Sequence, residues 1–291
     1  MSKLLRAGIR RHLHSMVFWI CLLVSLGLGV LNGFRFQEYG SLDEERVIAG
    51  FLIFTVLISI SIGKEFHEGG IRNKVIVGYS RAKVFFSEWL LATLSTFLCF
   101  VLITIPVVLM NLKHIECFTA TNATKIIVGM LLVNVSVSVI SCTICMIFSH
   151  RVVAPIICIL LILCTFVLSN SISGRLEAPK HEFYYEYNQE TGEMDEFISK
   201  DINPRYIDEP LRTALDIFTN AVPEGQIKEY MDILYEANGY SEYDYDNERW
   251  IPYNLTDEQI GVLNAHPYYS LGTIFIFSFV GLFVFKKKNL N

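Results

Sequence analysis

The sequence predicts an α-helical polytopic membrane protein: six transmembrane helices, both termini cytoplasmic, and a small α+β extracytoplasmic domain between spans five and six. Three observations predict it. The 291-residue chain is 52% hydrophobic and only 18% charged, with a mean hydropathy of +0.41, whereas soluble domains carry about 25% charged residues. Six apolar runs, each free of charge, punctuate it. The charges are also segregated. Residues 175–267 hold 21 of the 29 acidic and 7 of the 24 basic side chains, so this stretch is −14 and the remainder +9. Collagen-like, disordered, nucleic-acid-binding and disulfide-framework classes are excluded on the same grounds.

A membrane-spanning helix needs about 20 mostly apolar residues. The runs lie at 15–34, 47–63, 89–112, 126–149, 152–174 and within 268–285, the last stopped by Lys286, Lys287 and Lys288. The second and sixth are short enough to tilt little. No small-residue cleavage site follows the first run, so it reads as a retained span rather than a leader. Lys and Arg bias short inner loops. With the N-terminus inside, the inner segments carry 13 basic residues and the short outer loops only Arg35, Arg46, Lys113 and Lys125. The 93-residue insert 175–267 therefore faces outward. It contains none of the seven cysteines, so packing alone must hold it. Cys142 and Cys145 have redox-motif spacing but lie mid-span, where thiols behave as small apolar groups.

Small residues four apart let helices approach closely. Ser25, Gly29 and Gly33 supply such a stripe in the first span, and Thr55, Ser59 and Gly63 in the second. In the fourth, Asn134, Ser138, Ser141 and Cys145 share one face. That stripe serves either helix packing or the wall of a translocation path. No ionisable residue lies deep in a span, the nearest being Glu88, which counts against an ion-coupled pump. Pro106 is placed to kink the third span.

The inner segments are unusual. In residues 1–14, Leu5, Ile9 and Leu13 share one face while Arg6, Arg10 and Arg11 populate another, the pattern of an amphipathic interfacial helix. Residues 64–83 form a 20-residue inner connection. Gly69-Gly70 can end the arriving helix, Ile71, Lys74, Val75 and Gly78 support a short second one, and Ser80 can start the next span. A merely solvated loop would need fewer apolar residues, so the segment suits docking of a cytoplasmic partner.

These residues carry a resemblance. Glu65…Gly69-Gly70-Ile71-Arg72-Asn73-Lys74…Gly78-Tyr79-Ser80-Arg81 resembles the E…GTIRNK…G.SR pattern of ABC exporter permeases of the type-2 class, with Gly70 in place of the usual Thr. The six-span layout, the N-terminal interfacial helix and the long insert before the last span are similar to that family. So are Asn203-Pro204-Arg205-Tyr206-Ile207, Arg212 and Pro223-Glu224-Gly225-Gln226. The resemblance implies that Glu65, Gly70, Ile71, Arg72, Asn73 and Lys74 couple to a separate ATP-binding subunit, with Gly78, Ser80 and Arg81 shaping the return to the membrane. It also implies a dimer with an identical or homologous permease, and ATP and Mg bound by the partner rather than by this chain.

In the acidic insert, 181–187 alternates with period two and Thr191-Gly192 suits the turn of a hairpin. Leu211, Ala214, Leu215, Phe218 and Val222 form one helical face, with Asp208 placed as its cap. Ile227, Tyr230, Met231 and Leu234 form a second. Thr256 and Gln259 fit a capping box with Leu255 and Ile260 as its staple. Ten of the 14 tyrosines lie here, most of them expected in the core. Glu242, Asp244, Asp246 and Glu248 lack the glycine-pivoted loop of a calcium site.

Catalytic chemistry is missing. No phosphate loop occurs, Gly63-Lys64 being followed by Glu65. His67-Glu68 begins like a zinc-protease helix, but Ile71 stands where the second histidine must be. No catalytic, cofactor-binding or metal-ligating residues are therefore assigned. The leading expectation is the permease subunit of an ATP-driven exporter in the cell membrane, moving a peptide, lipid-like or drug-like substrate. The alternative is a membrane-anchored sensor or immunity protein whose outer domain binds an antimicrobial peptide.

Overall fold

The computed structural model describes residues 1–39, 44–111, 119–148, 150–187, 194–239, 243–244, 249–250 and 254–288. Among the described residues six helices are long and apolar enough to cross a membrane: α2 (Met16–Tyr39), α3 (Glu44–His67), α5 (Arg81–Met110), α6 (Ala120–Phe148), α7 (Val153–Leu176) and α10 (Asp257–Lys287). They make the chain a multi-pass helical membrane protein. Two short helices, α1 (Ser2–Leu13) and α4 (Gly70–Ile76), sit at one end of the bundle. The insert supplies α8 (Leu211–Ala221), α9 (Pro223–Gly239) and two small antiparallel ladders, β1 (His181–Tyr187) with β2 (Met194–Ile202) and β3 (Tyr243–Asp244) with β4 (Arg249–Trp250).

The spans form helices because a chain in lipid must satisfy its backbone internally. Each runs past the apolar stretch that signals it; α10 begins ten residues before Pro267 and carries that proline inside it. The most enclosed helix is α6, flanked by α3, α5 and α10, while α2 lies along α5. The small-residue stripe of α2 explains its close approach. A Cβ on Gly29 would stand 2.6 Å from the carbonyl oxygen of Ile103, and one on Gly33 would meet the Met110 sulfur at 2.6 Å. Gly63 similarly backs onto the main chain of Arg151, at 3.2 Å from its Cα.

Polar side chains join the helices where a group left unpaired in hydrocarbon would be costly. Ser138 shares a 2.7 Å hydrogen bond with Thr93, Ser141 one of 3.3 Å with Thr55, and Thr143 donates to the Phe277 carbonyl at 3.0 Å. The stripe Asn134, Ser138 and Ser141 is thus buried against α3 and α5, with only Asn134 Oδ1 lacking a partner among the three. Within one copy of this chain the stripe is occupied by packing. Cys142 and Cys145 are fully buried beside it. Pro106 lies inside the continuous helix α5.

The amphipathic N-terminal helix forms, with one side packed on the bundle. Leu4 and Gly8 are buried, with Gly8 against Leu91 of α5, whereas Ile9 and Leu13 stay exposed. The Leu4–Gly8 side takes the contact with α5, and Ile9 and Leu13 of the apolar stripe stay outside it. Arg6 and Arg10 are exposed, and Trp19 Nε1 closes the helix end by donating to the Leu13 carbonyl at 2.9 Å.

The insert forms the hairpin and the two helices read from it and packs on the bundle. The hairpin pairs as read, Tyr187 opposite Met194, with the Thr191-Gly192 turn outside the described residues. The two helices do not stand off as a separate body. Helix α9 docks between α6, α7 and α3 at the end of the bundle away from α4, burying Ile227, Tyr230, Met231 and Ile233. Glycine permits the docking: a Cβ at Gly129 of α6 would collide with the Tyr230 hydroxyl, and one at Gly225 with the Thr219 carbonyl. The α8–α9 corner is stitched to the last span by Ser270 Oγ donating to Gln226 Oε1 at 2.7 Å. His266 Nε2 lies 2.8 Å from Asn220 Oδ1, and Thr273 Oγ1 donates to the Ala221 carbonyl at 3.1 Å. Asp208 does not cap α8. Glu209 Oε2 instead accepts from the Thr213 amide at 3.2 Å. The Thr256–Gln259 capping box forms, and Leu255 and Ile260 pack into the same apolar cluster. Tyr230 is core and Tyr235 is exposed. Seven of the other insert tyrosines, like the 242–248 acidic cluster, have side chains outside the described residues.

Candidate functional site

The elbow between α3 and α5 is built from two glycine turns. Gly69, at φ 72°, ends α3 and is at the same time the N-cap of α4. Gly78, at φ 100°, ends the segment after α4, its amide donating to the Val75 carbonyl at 3.0 Å. Both backbones lie in the left-handed region that side chains avoid. Ser80 then caps α5 by accepting from the Lys83 amide. Between the turns, Ile71 is fully buried among Ile62, Val84, Phe85 and Phe285 and anchors α4 to the bundle. Arg72 and Asn73 are exposed, and Ile76 and Val77 are 72% and 77% exposed. The elbow therefore has a seated root and an apolar tip.

Beneath the tip lies a network of four charges. Lys74 Nζ stands 3.0 Å from Glu65 Oε2 and 2.5 Å from Glu88 Oε1, and Arg11 pairs with the other oxygen of Glu65. Two cations face two carboxylates, so the cluster is neutral as a set. It joins α1, α3, α4 and α5. Burial pulls the Lys74 ammonium below its ordinary pKa, against the opposing pull of Glu88. Such a cluster contributes little net stability but is costly to break, because one missing partner leaves an uncompensated buried charge. Gly70 belongs to this arrangement, since a Cβ there would occupy the place of the Glu65 carboxylate. Glycine where the resembled family carries Thr thus leaves room for the ion pair.

Arg81 extends the tie to the last span. Its Nη1 donates to the carbonyls of Phe285, Lys286 and Lys288, at 2.8, 2.9 and 2.5 Å. Lys288 Nζ in turn caps α6, donating to Met146 and Ile147 carbonyls at 2.7 and 2.6 Å. Cations at helix C-termini satisfy orphan carbonyls and complement the dipole.

The structure brings Glu65, Gly70, Ile71, Lys74 and Arg81 into one connected cluster, with Arg72 and Asn73 on its open face and Gly78 and Ser80 at the turn. Asn134, Ser138 and Ser141 lie elsewhere, mid-bundle. Sequence reasoning assigned Arg11 only to the interface and left Glu88 unassigned, although Glu88 stood out as the nearest charge to a span interior. Lys288 gave no signal beyond topology. The insert residues of the resemblance also gain roles. Asn203 Oδ1 accepts from the Arg205 amide at 2.8 Å, and Arg212 Nη2 donates to the Leu176 carbonyl at 2.5 Å while lying over the Tyr206 ring, so they clamp the end of α7 to α8.

Comparison of this chain with family models, with curated proteins and with solved structures finds no match.

Proposed function

We propose that this chain is the permease subunit of an ATP-driven ABC exporter, placed with its elbow and both termini in the cytoplasm of a bacterial cell and its insert outside. A separate ATP-binding subunit docks on Arg72, Asn73, Ile76 and Val77 and supplies ATP and Mg. The chain itself has no phosphate loop. A second permease, identical or homologous, completes the dimer, because six helices without an internal repeat offer no second half for gating. The substrate class is a peptide, lipid-like or drug-like molecule.

One observation carries the reading: an exposed apolar tip rests on a neutral four-charge network that reaches four helices, with Glu65, Lys74 and Glu88 buried and Arg11 at its exposed edge. A topological loop needs neither. Force applied at the tip is passed by Lys74 to Glu88 in α5 and by Arg81 to the end of α10, so motion of the partner tilts spans rather than bending a hinge.

The test is co-elution and ATP-driven transport for the Arg72→Ala/Asn73→Ala double variant and for Ile76→Asp. Both variants are expected to insert normally, to release the ATP-binding subunit and to lose transport. Unchanged assembly and transport would overturn the assignment. Elution without any nucleotide-binding chain, together with tight binding of an antimicrobial peptide, would favour the sensor reading.

A further inference from the structure

Away from the elbow, between the ends of α2, α3, α5 and α6 and the docked helix α9, the bundle keeps a cavity of about 210 Å³. Its wall is almost wholly apolar, with Phe51 and Phe54 of α3, Phe100 and Ile103 of α5, Met130 of α6 and Met231 of α9. An aliphatic and aromatic cavity of about 150 Å³ stays dry and accepts a benzene-sized molecule. Well-packed interiors do not retain such a space without cost.

Two features specify what fills it. Asn32 and Asn111 both line the cavity, both are 2% exposed, and the Oδ1 of each has no hydrogen-bond partner among the described residues. The orientation of Asn111 is set by its own Nδ2, which donates to the Gly33 and Val107 carbonyls at 3.1 and 2.9 Å and leaves the oxygen over. Two buried acceptors without donors call for a ligand that donates. The second feature is access. Val108 and Ile127 line the cavity and are also 36% and 50% exposed, so it reaches the apolar flank between α5 and α6.

We propose that this cavity binds the aliphatic chain of a single-chain amphiphile whose head carries hydroxyl or amide donors. The chain enters sideways from lipid, and the donors are held by Asn32 Oδ1 and Asn111 Oδ1. The space admits one tail rather than two, and a head made only of acceptors would leave both asparagine oxygens unpaired. The site lies within one chain and needs no nucleotide-binding partner, so it stands or falls separately from the exporter reading.

The test uses the full-length chain in detergent with a monoacylglycerol bearing a photoreactive diazirine on its acyl chain. Crosslinks are located by peptide mass spectrometry. They are expected on Phe100, Met130 and Met231, and unlabelled monoacylglycerol should compete while phosphatidylcholine should not. A Cβ at Gly50 meets only the Ile103 Cδ1 methyl, at 3.2 Å, so a larger side chain there fills the cavity. Gly50→Leu should abolish the cavity crosslinks and Gly50→Ala should retain them. Asn32→Leu, which keeps the chain pocket, should weaken binding about fivefold, the worth of one neutral hydrogen bond. Crosslinks spread evenly over the exposed Leu23, Leu271 and Phe275, or equal competition by phosphatidylcholine, would overturn the proposal.

Discussion

Lys74 Nζ and Glu88 Oε1 are 2.5 Å apart, and through that contact a seven-residue helix outside the bundle is fixed to the third long span. The two residues are 14 positions apart in sequence and separated by two helix ends. Their pairing adds a charged tie to the apolar anchor that Ile71 already gives the helix.

Lys74→Met leaves Glu65 and Glu88 buried without their shared cation. The variant is expected to lose about 3–5 kcal/mol of stability, read as a lowered melting temperature of the detergent-solubilised protein. Adding Glu88→Gln to Lys74→Met should restore most of the loss, since Glu65 keeps Arg11. A single variant as stable as the parent would mean that the network is solvated.

Arg81→Ala removes the donor shared by three carbonyls at the end of α10. Hydrogen bonds to a charged group contribute about 1.5–3 kcal/mol. Amide exchange over the last turn of α10 should accelerate while the α2–α5 contact keeps its protection. Equal protection of that turn in variant and parent would show that Arg81 does not hold the helix end.

Gly225→Ala and Gly129→Ala both place a methyl group where α9 meets its neighbours. Overpacking of this kind costs about 1–3 kcal/mol, and here it falls on one docked helix. Limited proteolysis should cut near the exposed Tyr235 sooner in both variants, with the six spans still inserted. An unchanged digestion pattern would contradict the seating of α9.

Glu224, at the α8–α9 corner, is buried, and burial pushes its carboxyl up to about 7 from 4.5, against the pull of its own amide and the Thr165 hydroxyl. A folded pKa raised above the unfolded one means that the folded chain holds the extra proton between these values. Stability from this group is therefore full below pH 4.5, falls as pH rises towards about 7, and stays low above it. The span is on the order of 3 kcal/mol. Melting temperatures measured between pH 5 and 8 should decline for the parent and be flatter for Glu224→Gln. Parallel profiles would rule out Glu224 as the source.

Much of the architecture was legible because membranes impose it. Twenty apolar residues without charge leave the backbone one economical solution, and the α2 small-residue stripe at Ser25, Gly29 and Gly33 already announced a close helix neighbour. The elbow's first turn was legible through Gly69-Gly70, and Gly69 stands at positive φ; Gly78, read as part of the short helix, instead lies beyond its end at Ile76, also at positive φ. The partners of its charges were not. Local spacing reveals pairs three or four residues apart on one helix, whereas Arg11, Glu65, Lys74 and Glu88 come from four different helices.

The docking of α9 was hidden for a related reason. Ile227, Tyr230, Met231 and Leu234 read as an amphipathic face, which says that something covers it but not what. The acidic charge of 175–267 pointed to a water-facing insert and left open what its helices pack against. Charge sets what a segment does with water, while shape complementarity sets what it packs against, and only the latter required Gly129 and Gly225 to meet Tyr230 and Thr219. By itself, then, the amino-acid order determined the number of spans, the elbow's turns and the amphipathic faces, because each is a property of residues near one another in the chain. Which charges neutralise each other, which helix fills the far end, and that a cavity with two unpaired amide oxygens remains there were decided by tertiary packing, because they depend on distances between residues that the chain order leaves open.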